Sequence, residues 1–513
     1  MASRDRLQSL LAGGALGPLA DDHQIIETHV SWVILTGDIA YKIKKPVDLG
    51  FLDFSSLAAR RHACEEELRL NRRLAPEVYL GLEVLRSTAR DDGGSLERPV
   101  VEYAVKMRRF PPDAAVGAAL AADLTPDEAA RLGRLIGQFH LSLPPDPPCT
   151  TWGSAESVWA AIDSSLLQLG AILGTSEARL VHCRRYISGE FARRHSFIED
   201  RRRCSAVREC HGDLHLGNLV RLDGQVVPFD ALEFDPALRW IDVMNEVAFL
   251  FMDLDVRQRR DLAFQFLNAY LDVTGDYRGL AGLRLYLSYR ALVRAKVAML
   301  SPVHGGDTPG VTALLDYAAK PLPDVTPIVV VMVGVSGSGK SWLARQLASR
   351  LPAVHVRSDV ERKRLFGLQA LARTDAPPGQ GIYASEVSAR VYDRMTEMAA
   401  AVLEGGLPVI LDATSLRRDH RAAFLAAARR AGRPAVMIAC TADEATLAAR
   451  VAQRAREARD PSEADIEVVR RQLAEYEPPA SAEDCHCILV DTTLALDVEA
   501  LVRAIAAVAD AAI

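Results

Sequence analysis

Short apolar runs punctuate the last third of this chain, at 328–333, 353–357, 408–412, 434–440 and 486–490, separated by alanine- and arginine-rich stretches long enough for helices. Runs of this length alternating with helical segments predict a parallel sheet buried on both faces. Upstream the pattern changes. Residues 26–47 and about 78–107 read as strands, with turn signals at Thr36, Gly37 and Asp38 and at Asp91, Asp92, Gly93 and Gly94, whereas 125–200 and 242–318 read mostly as helices. A small sheet-rich lobe followed by a larger helical lobe is therefore predicted. Pro321, Pro323 and Pro327 punctuate a connector, because proline cannot continue a helix and biases its predecessor to extended backbone. The expected organisation is a bilobal α+β unit over 1–321, a linker over 322–327 and an α/β unit over 328–513.

Composition narrows the picture. At 513 residues, 49% hydrophobic and 25% charged, the chain is of ordinary soluble globular type. Its formal net charge of -6 provides no global cationic field, which disfavours a long nucleic-acid footprint. Eight cysteines, none in a CxxC pair, fit a reducing compartment. Cys485, His486 and Cys487 alternate into Ile488, Leu489 and Val490, so they read as a buried strand carrying small thiols rather than as metal ligands. No stretch reaches the roughly 20 apolar residues that span a bilayer. The N-terminus, with Arg4 and Arg6 ahead of a leucine- and alanine-containing stretch, reads as a short amphipathic helix, and a cytoplasmic protein without a membrane partner is expected.

The sharpest chemical signal is Gly334, Val335, Ser336, Gly337, Ser338, Gly339, Lys340 and Ser341, placed directly after the apolar run 328–333. Strand, glycine-rich loop and helix in that order make a P-loop. The glycines let backbone N–H groups converge on phosphate oxygens, and the following helix aims its positive end at the same anion. Lys340 would reach the β and γ phosphates and the Ser341 hydroxyl would ligate magnesium, so a nucleoside triphosphate is the expected ligand.

A second constellation lies between the two upstream lobes: His211, Gly212, Asp213, Leu214, His215, Leu216, Gly217 and Asn218, then Val226, Val227, Pro228, Phe229 and Asp230. HxDxxxxN followed by an apolar strand ending in aspartate resembles the loops of aminoglycoside phosphotransferase-like kinases, relatives of the protein kinases. The resemblance implies that Asp213 orients the acceptor hydroxyl and takes its proton, that Asn218 and Asp230 hold magnesium, that His211 braces the loop, and that Asp242, with Asp235 a companion, stabilises it. It also implies a lysine for the α and β phosphates and a helical glutamate to hold it. Ile39, Ala40, Tyr41, Lys42 resembles the strand with that lysine, Lys44 being the alternate on the same face. Among Glu65, Glu66 and Glu67, the last lies beside the stripe of Leu70 and Leu74 and is preferred. Val101–Met107 resembles the edge strand leading to the interlobe hinge, where backbone near Met107 would meet adenine; no GxGxxG is present.

Downstream of the P-loop, Val356, Arg357, Ser358, Asp359, Val360, Glu361 and Arg362 resemble a segment of P-loop kinases acting on hydroxyls, including polynucleotide 5′-hydroxyl kinases and zeta-toxin-like kinases. That likeness makes Asp359 the candidate base, Arg362 a clamp for an anionic substrate, Asp412, with Thr414 beside it, a further magnesium acid, and Arg450, Arg454 and Arg459 parts of a lid helix. Arg418 and Arg421 are candidates to line the acceptor site, while Arg201, Arg202 and Arg203 read as a solvated loop. The whole resembles bacterial two-domain proteins joining an aminoglycoside phosphotransferase-like domain to an AAA-type P-loop domain, which implies ATP and Mg2+ at both sites. The expected function is a tandem ATP-dependent phosphotransferase acting on hydroxyls of small molecules. Two alternatives stand beside it: an ATP-hydrolysing switch whose kinase-like part binds a ligand without transfer, and a nucleic-acid 5′-hydroxyl kinase in the C-terminal part.

Overall fold

The computed structural model describes residues 6–511 apart from 9, 12–13, 17–18, 20–21, 49, 51, 88–98, 112, 148–149, 301–309, 375–376, 378, 458–459, 481–482 and 484. The turn expected at Asp91–Gly94, Arg4 and Arg459 lie outside the described residues. Arg6–Gln8 and Leu10–Leu11 are helical, and Leu7 packs with Trp32, Ile34, Ile43 and Leu85 under the first sheet.

That sheet contains β1 (Gln24–Glu27), β2 (Ser31–Thr36), β3 (Ile39–Lys44), β4 (Tyr79–Arg86) and β5 (Val100–Arg108) in the antiparallel order β1-β2-β3-β5-β4. Helix α1 (Leu57–Asn71), capped by the Ser56 hydroxyl, packs across β4 and β5. One expectation is corrected here. Strand β5 is not an edge strand, because β4 returns along its outer side and leaves β5 paired on both flanks.

The helical lobe comprises α2 (Gly117–Asp123), α3 (Pro126–Ser142), α4 (Ala155–Leu173), α5 (Ala178–Arg203), α6 (Pro236–Arg239), α7 (Val243–Val256), α8 (Arg260–Thr274), α9 (Leu283–Leu300) and α10 (Val311–Ala319). Two short ribbons, β6 (Val207–Glu209) with β9 (Trp240–Asp242) and β7 (Leu219–Leu222) with β8 (Gln225–Pro228), bracket the His211–Asn218 segment. Helix α3 starts where Thr125 and Glu128 form a capping box ahead of Pro126, and α8 stops at left-handed Gly275. Every residue of α7 from Val243 to Asp255 is buried, so this helix is enclosed on all sides and carries its Glu246 and Asp253 inside the lobe. Arg201–Arg203 form the end of α5 and not a loop; Arg201 is buried between Asp242 and Asp276.

Beyond the connector, β10 (Val329–Val333), β11 (Val354–Arg357), β12 (Val409–Asp412), β13 (Ala435–Thr441) and β14 (His486–Asp491) form a parallel sheet ordered β11-β12-β10-β13-β14. Around it lie α11 (Lys340–Arg350), α12 (Ser358–Arg364), α13 (Ser385–Glu404), α14 (Arg418–Arg430), α15 (Glu444–Glu457), α16 (Ile466–Glu475) and α17 (Val498–Asp510). The period of two divides β10 between two cores: Val330 and Met332 pack with Leu343, Leu347 and Ile505, whereas Val329, Val331 and Val333 join Val409 and Leu411. That second core continues across the connector into Phe266, Leu267, Leu280 and Tyr286 of the helical lobe. Strand β14 corrects another expectation. It is the sheet's outer strand, pairs only with β13, and leaves Leu489 76% exposed with Cys485 and Cys487 half-buried. No helix among the described residues is long and apolar enough to cross a membrane.

Candidate active sites

In the N-terminal part, β3 and α1 bring Lys42 and Lys44 to one carboxylate, because the two lysines share a face and Glu67 occupies the buried stripe of α1. Lys42 Nζ lies 2.9 Å from Glu67 Oε1, Lys44 pairs with the other oxygen, and Glu67 has no exposed side-chain surface. Lys42 also pairs with Asp230 and Lys44 with Glu233, so two ammonium groups are held by three carboxylates. Burial opposes the charge on Lys42, but Asp230, Glu67 and Glu233 outweigh it and hold its pKa well above the usual lysine range. Burial likewise opposes Glu67, and the two lysines bring its carboxyl down to about 2. Glu65 instead forms an exposed pair with Arg61, and Glu66 binds Arg69 and Arg239. Asp230 itself sits at left-handed φ 61°, its N–H donating to the Tyr79 hydroxyl at 3.0 Å.

Asp213 and Asn218 come together: Asn218 Nδ2 donates to Asp213 Oδ2 and to its carbonyl, each at 2.9 Å. Burial would raise the Asp213 carboxyl, yet His215, Arg294 and His211 outweigh it and keep the group ionised well below the usual range. His215 Nε2 lies 3.4 Å from Asp213 Oδ2 and 3.0 Å from Arg294 Nη1. His211 Nε2–H donates to the Phe229 carbonyl at 3.0 Å, tying this loop to the segment ending in Asp230, and burial lowers its pKa. The loop's other anchors come from α7. Glu246 Oε1 accepts from Gly212 N–H at 2.6 Å and its Oε2 from His140 Nε2 at 2.8 Å, while Asp253 accepts from Leu216 N–H at 3.0 Å. Asp242 turns its carboxylate to Arg201, at 2.9 and 2.7 Å, and Asp235 caps α6.

Met107 is enclosed mid-sheet between Ala40 and Tyr79. Its side chain joins Ala40, Val105, Val220 and Leu222 in an apolar cluster between the lobes, while its backbone lies between two strands. The β1–β2 connection is three residues long, without glycine, and Lys45 binds both Glu27 and the Thr28 carbonyl there.

In the C-terminal part, Gly334–Ser341 connects β10 to α11 with Gly334, Gly337 and Gly339 all at positive φ. A Cβ on Gly334 would stand 2.6 Å from the Cys440 carbonyl oxygen; on Gly337 it would stand 3.0 Å from the Leu447 carbonyl oxygen, and on Gly339 3.0 Å from Thr492 Oγ1. Lys340 Nζ reaches back toward the Val335 carbonyl at 3.4 Å. Ser341 Oγ donates to Asp412 Oδ1 at 3.1 Å, and His355 Nε2 lies 3.1 Å from Asp412 Oδ2. Burial opposes the Asp412 charge, but His355, Lys340 and Arg357 outweigh it and hold the carboxyl well below the usual range. Thr414 accepts from Gly334 N–H at 2.9 Å.

Asp359 is half-buried in the first turn of α12. Arg362, three residues on, is buried; its Nη1 donates to the Ile382 carbonyl at 2.9 Å and to Ser388 Oγ at 3.2 Å, with the guanidinium over Tyr383. Arg450 and Arg454 stand on α15, where Arg450 binds the Gly337 carbonyl and Thr492 and Arg454 the Ala464 carbonyl. Arg421 does not line an open site: it is buried and paired with Glu483. Glu233, Glu246 and His140 escaped the sequence reading, as did His355. A polar His355 interrupting an apolar strand two residues before Arg357 was the one local signal among them.

An AAA domain model of the AAA_33 type matches residues 329–479. Among solved structures, a kinase from Chloroflexus aurantiacus is 24% identical, with TM-score 0.29, covering 36% of this chain and 98% of its own. A choline/ethanolamine kinase family protein from Mesorhizobium loti is 13% identical, with TM-score 0.38, covering 63% and 96%. The Mycobacterium tuberculosis protein Rv2004c is 30% identical over 455 residues, 85% of this chain and 88% of that protein. With an AAA-type match over the P-loop part and 30% identity to Rv2004c across 85% of its own length, the chain belongs to the family of Rv2004c.

Proposed function

We propose that the protein is an ATP-dependent phosphotransferase with two ATP and magnesium sites, each directing the γ phosphoryl group to a hydroxyl of a small molecule. What supports this most is that two separate places in the fold each set a lysine among carboxylates: Lys42 between buried Glu67 and Asp230 in the part that carries Asp213 and Asn218, and Lys340 and Ser341 by buried Asp412. Both donor sets suit magnesium, being hard oxygen ligands on carboxylate, amide and hydroxyl groups. Asn218 and Asp230 would hold it in the first, Ser341 and Asp412 in the second, where the loop glycines let the backbone pack against Cys440, Leu447 and Thr492. The chemistry magnesium supplies when bound is neutralisation of phosphate charge. Asp213, kept ionised, is suited to accept the proton of an acceptor hydroxyl, and Asp359 takes that place beside the P-loop.

The test is magnesium-dependent ATP consumption by the full chain in an acceptor screen. Asp213→Ala and Lys340→Ala should each abolish one separable activity, and loss of everything through either alone would sink the two-site reading. A second reading has its own observation: the short β1–β2 turn, fastened by Lys45, leaves the first site without a glycine-rich cover. The N-terminal part then binds nucleotide as a sensor while the P-loop part hydrolyses ATP. Nucleotide binding that requires Lys42, with no Asp213-dependent turnover on any acceptor, would favour it. Phosphorylation of a 5′-hydroxyl oligonucleotide, requiring Lys340, would instead make the acceptor a nucleic-acid end.

A further inference from the structure

Strand β11 is the outer strand of the parallel sheet on the side away from β14 and pairs only with β12. Its outer edge is not left open. One side-chain amide from the helical lobe occupies it: Asn268 on α8 donates from Nδ2 to the Ala353 carbonyl at 3.0 Å and accepts at Oδ1 from His355 N–H at 2.8 Å. A carbonyl and an N–H two residues apart on one strand edge are the groups a neighbouring strand would bind, so Asn268 acts as a one-residue strand partner. A second grip lies further along the same segment. Arg364, at the end of α12, donates to the carbonyls of Leu271, Asp272 and Val273 at 3.2, 2.8 and 2.9 Å in the last turn of α8, sharing Leu271 with the Gly275 N–H.

Between these two fastenings lie His355, which touches Asp412, then Arg357, whose charge is shared by Asp412 and Asp460, and Asp359. His355 Nε2 holds Asp412 Oδ2, and the other oxygen, Oδ1, accepts from Ser341 Oγ.

We infer that Asn268 of the helical lobe is a positioning residue for the P-loop site: by pinning the backbone of His355 it orients Asp412 for a divalent cation, so the second site is completed from outside the P-loop part. This rests on the reading above that Ser341 and Asp412 hold magnesium. Groups that hold a metal ligand from behind affect metal affinity without touching the nucleotide.

The test uses full-length chain carrying Asp230→Asn, so that manganese binding reports the P-loop site. Mn2+ is titrated by electron paramagnetic resonance with a non-hydrolysable ATP analogue, and analogue affinity is measured separately in chelator. Asn268→Ala should weaken Mn2+ by about fivefold, less than the ~10-fold or more expected of His355→Ala, which loses a direct partner of the ligand. Analogue affinity without metal should stay within about twofold, since the P-loop amides and Lys340 are untouched. A general loss of structure would lower both. Arg364→Ala, which releases the same segment from its other end, should act in the same direction and serves if Asn268→Ala does not fold. Mn2+ affinity unchanged in both variants while the parent binds overturns the inference alone. A parent that binds neither analogue nor Mn2+ overturns the function reading, and this inference with it.

Discussion

Glu67 illustrates how much one carboxylate can carry when it faces two cations in a dry environment. Its oxygens are divided between Lys42 and Lys44, and Glu67 itself is fully buried, so no water on its side offsets either lysine. Removing one partner of a buried ion pair typically costs about 3–5 kcal/mol where the remaining charge is stranded, and less here because Asp230 and Glu233 still face the two lysines. Glu67→Gln should therefore lower the denaturation midpoint and abolish Lys42-dependent nucleotide binding, whereas Glu65→Gln, at an exposed pair, should do neither. A pH series gives an independent check. The Glu67 carboxyl stands at about 2 against an ordinary 4.5, so its stabilisation is complete above the ordinary value and is lost as pH falls from there toward about 2. Urea midpoints measured across that window should fall more steeply in the parent than in Glu67→Gln. Gly334 carries the matching case in the other site. At φ 144°, with the Cys440 carbonyl oxygen 2.6 Å from the place of a Cβ, Gly334→Ala must displace the strand–loop junction. Strain of roughly 1–3 kcal/mol and loss of P-loop nucleotide binding are expected, read by thermal melts and analogue titration.

At the scale of elements, helix α7 connects packing to chemistry. Its burial on all sides puts Glu246 where water cannot reach, and the two Glu246 oxygens then serve His140 and the Gly212 N–H. Burial opposes the Glu246 charge, and His140, His211 and the Gly212 N–H bring its carboxyl to about 2. Glu246→Ala leaves a buried histidine and a buried N–H without acceptors. The expected result is a fall in Asp213-dependent turnover of about tenfold or more, together with a lower melting temperature, while Lys340-dependent binding persists. Elements of this kind also mark where sequence reading stops. The five strands of the parallel sheet were legible to within a residue or two, because each is a short apolar run followed by a helix and the P-loop fixes their polarity. The meeting of Lys42 with Glu67 was legible too, the lysine from the kinase resemblance and the glutamate from the period of α1, and the resemblance likewise put Asp213 and Asn218 in one site. What lay beyond reach depends on which elements meet: β4 folding back outside β5, Asp242 captured by Arg201, and Glu246 reaching Gly212 are set by tertiary contacts between segments whose local patterns do not mention each other. Arg362 and Arg421 show the same limit: expected to clamp a substrate and to line the acceptor site, they are instead buried by contacts made far along the chain.

For the whole molecule the decisive feature is the core that ignores the connector. Val329, Val331 and Val333 of the P-loop strand belong to one apolar cluster with Phe266, Leu267, Leu280 and Tyr286, and polar contacts reinforce the junction: Arg284 binds the Gly405 and Gly406 carbonyls, and Arg194 binds Glu404. Interfaces between independent domains are usually more polar and easier to part. A junction built from core residues predicts that the two halves unfold together. Calorimetry of the full chain should show one transition, and Val331→Ala, a truncation at a fully buried position costing about 1–3 kcal/mol, should lower it as a whole. Hydrogen exchange makes the point locally: amides of α7, which Val331 does not touch in sequence, should lose protection in that variant by the same free energy as those of β10. The P-loop part produced alone would expose the face formed by Val329, Val331 and Leu411 and should aggregate unless the N-terminal part is supplied with it. Two resolved transitions, with the variant shifting only one, would show instead that each half folds on its own and that the shared core is a contact between finished domains.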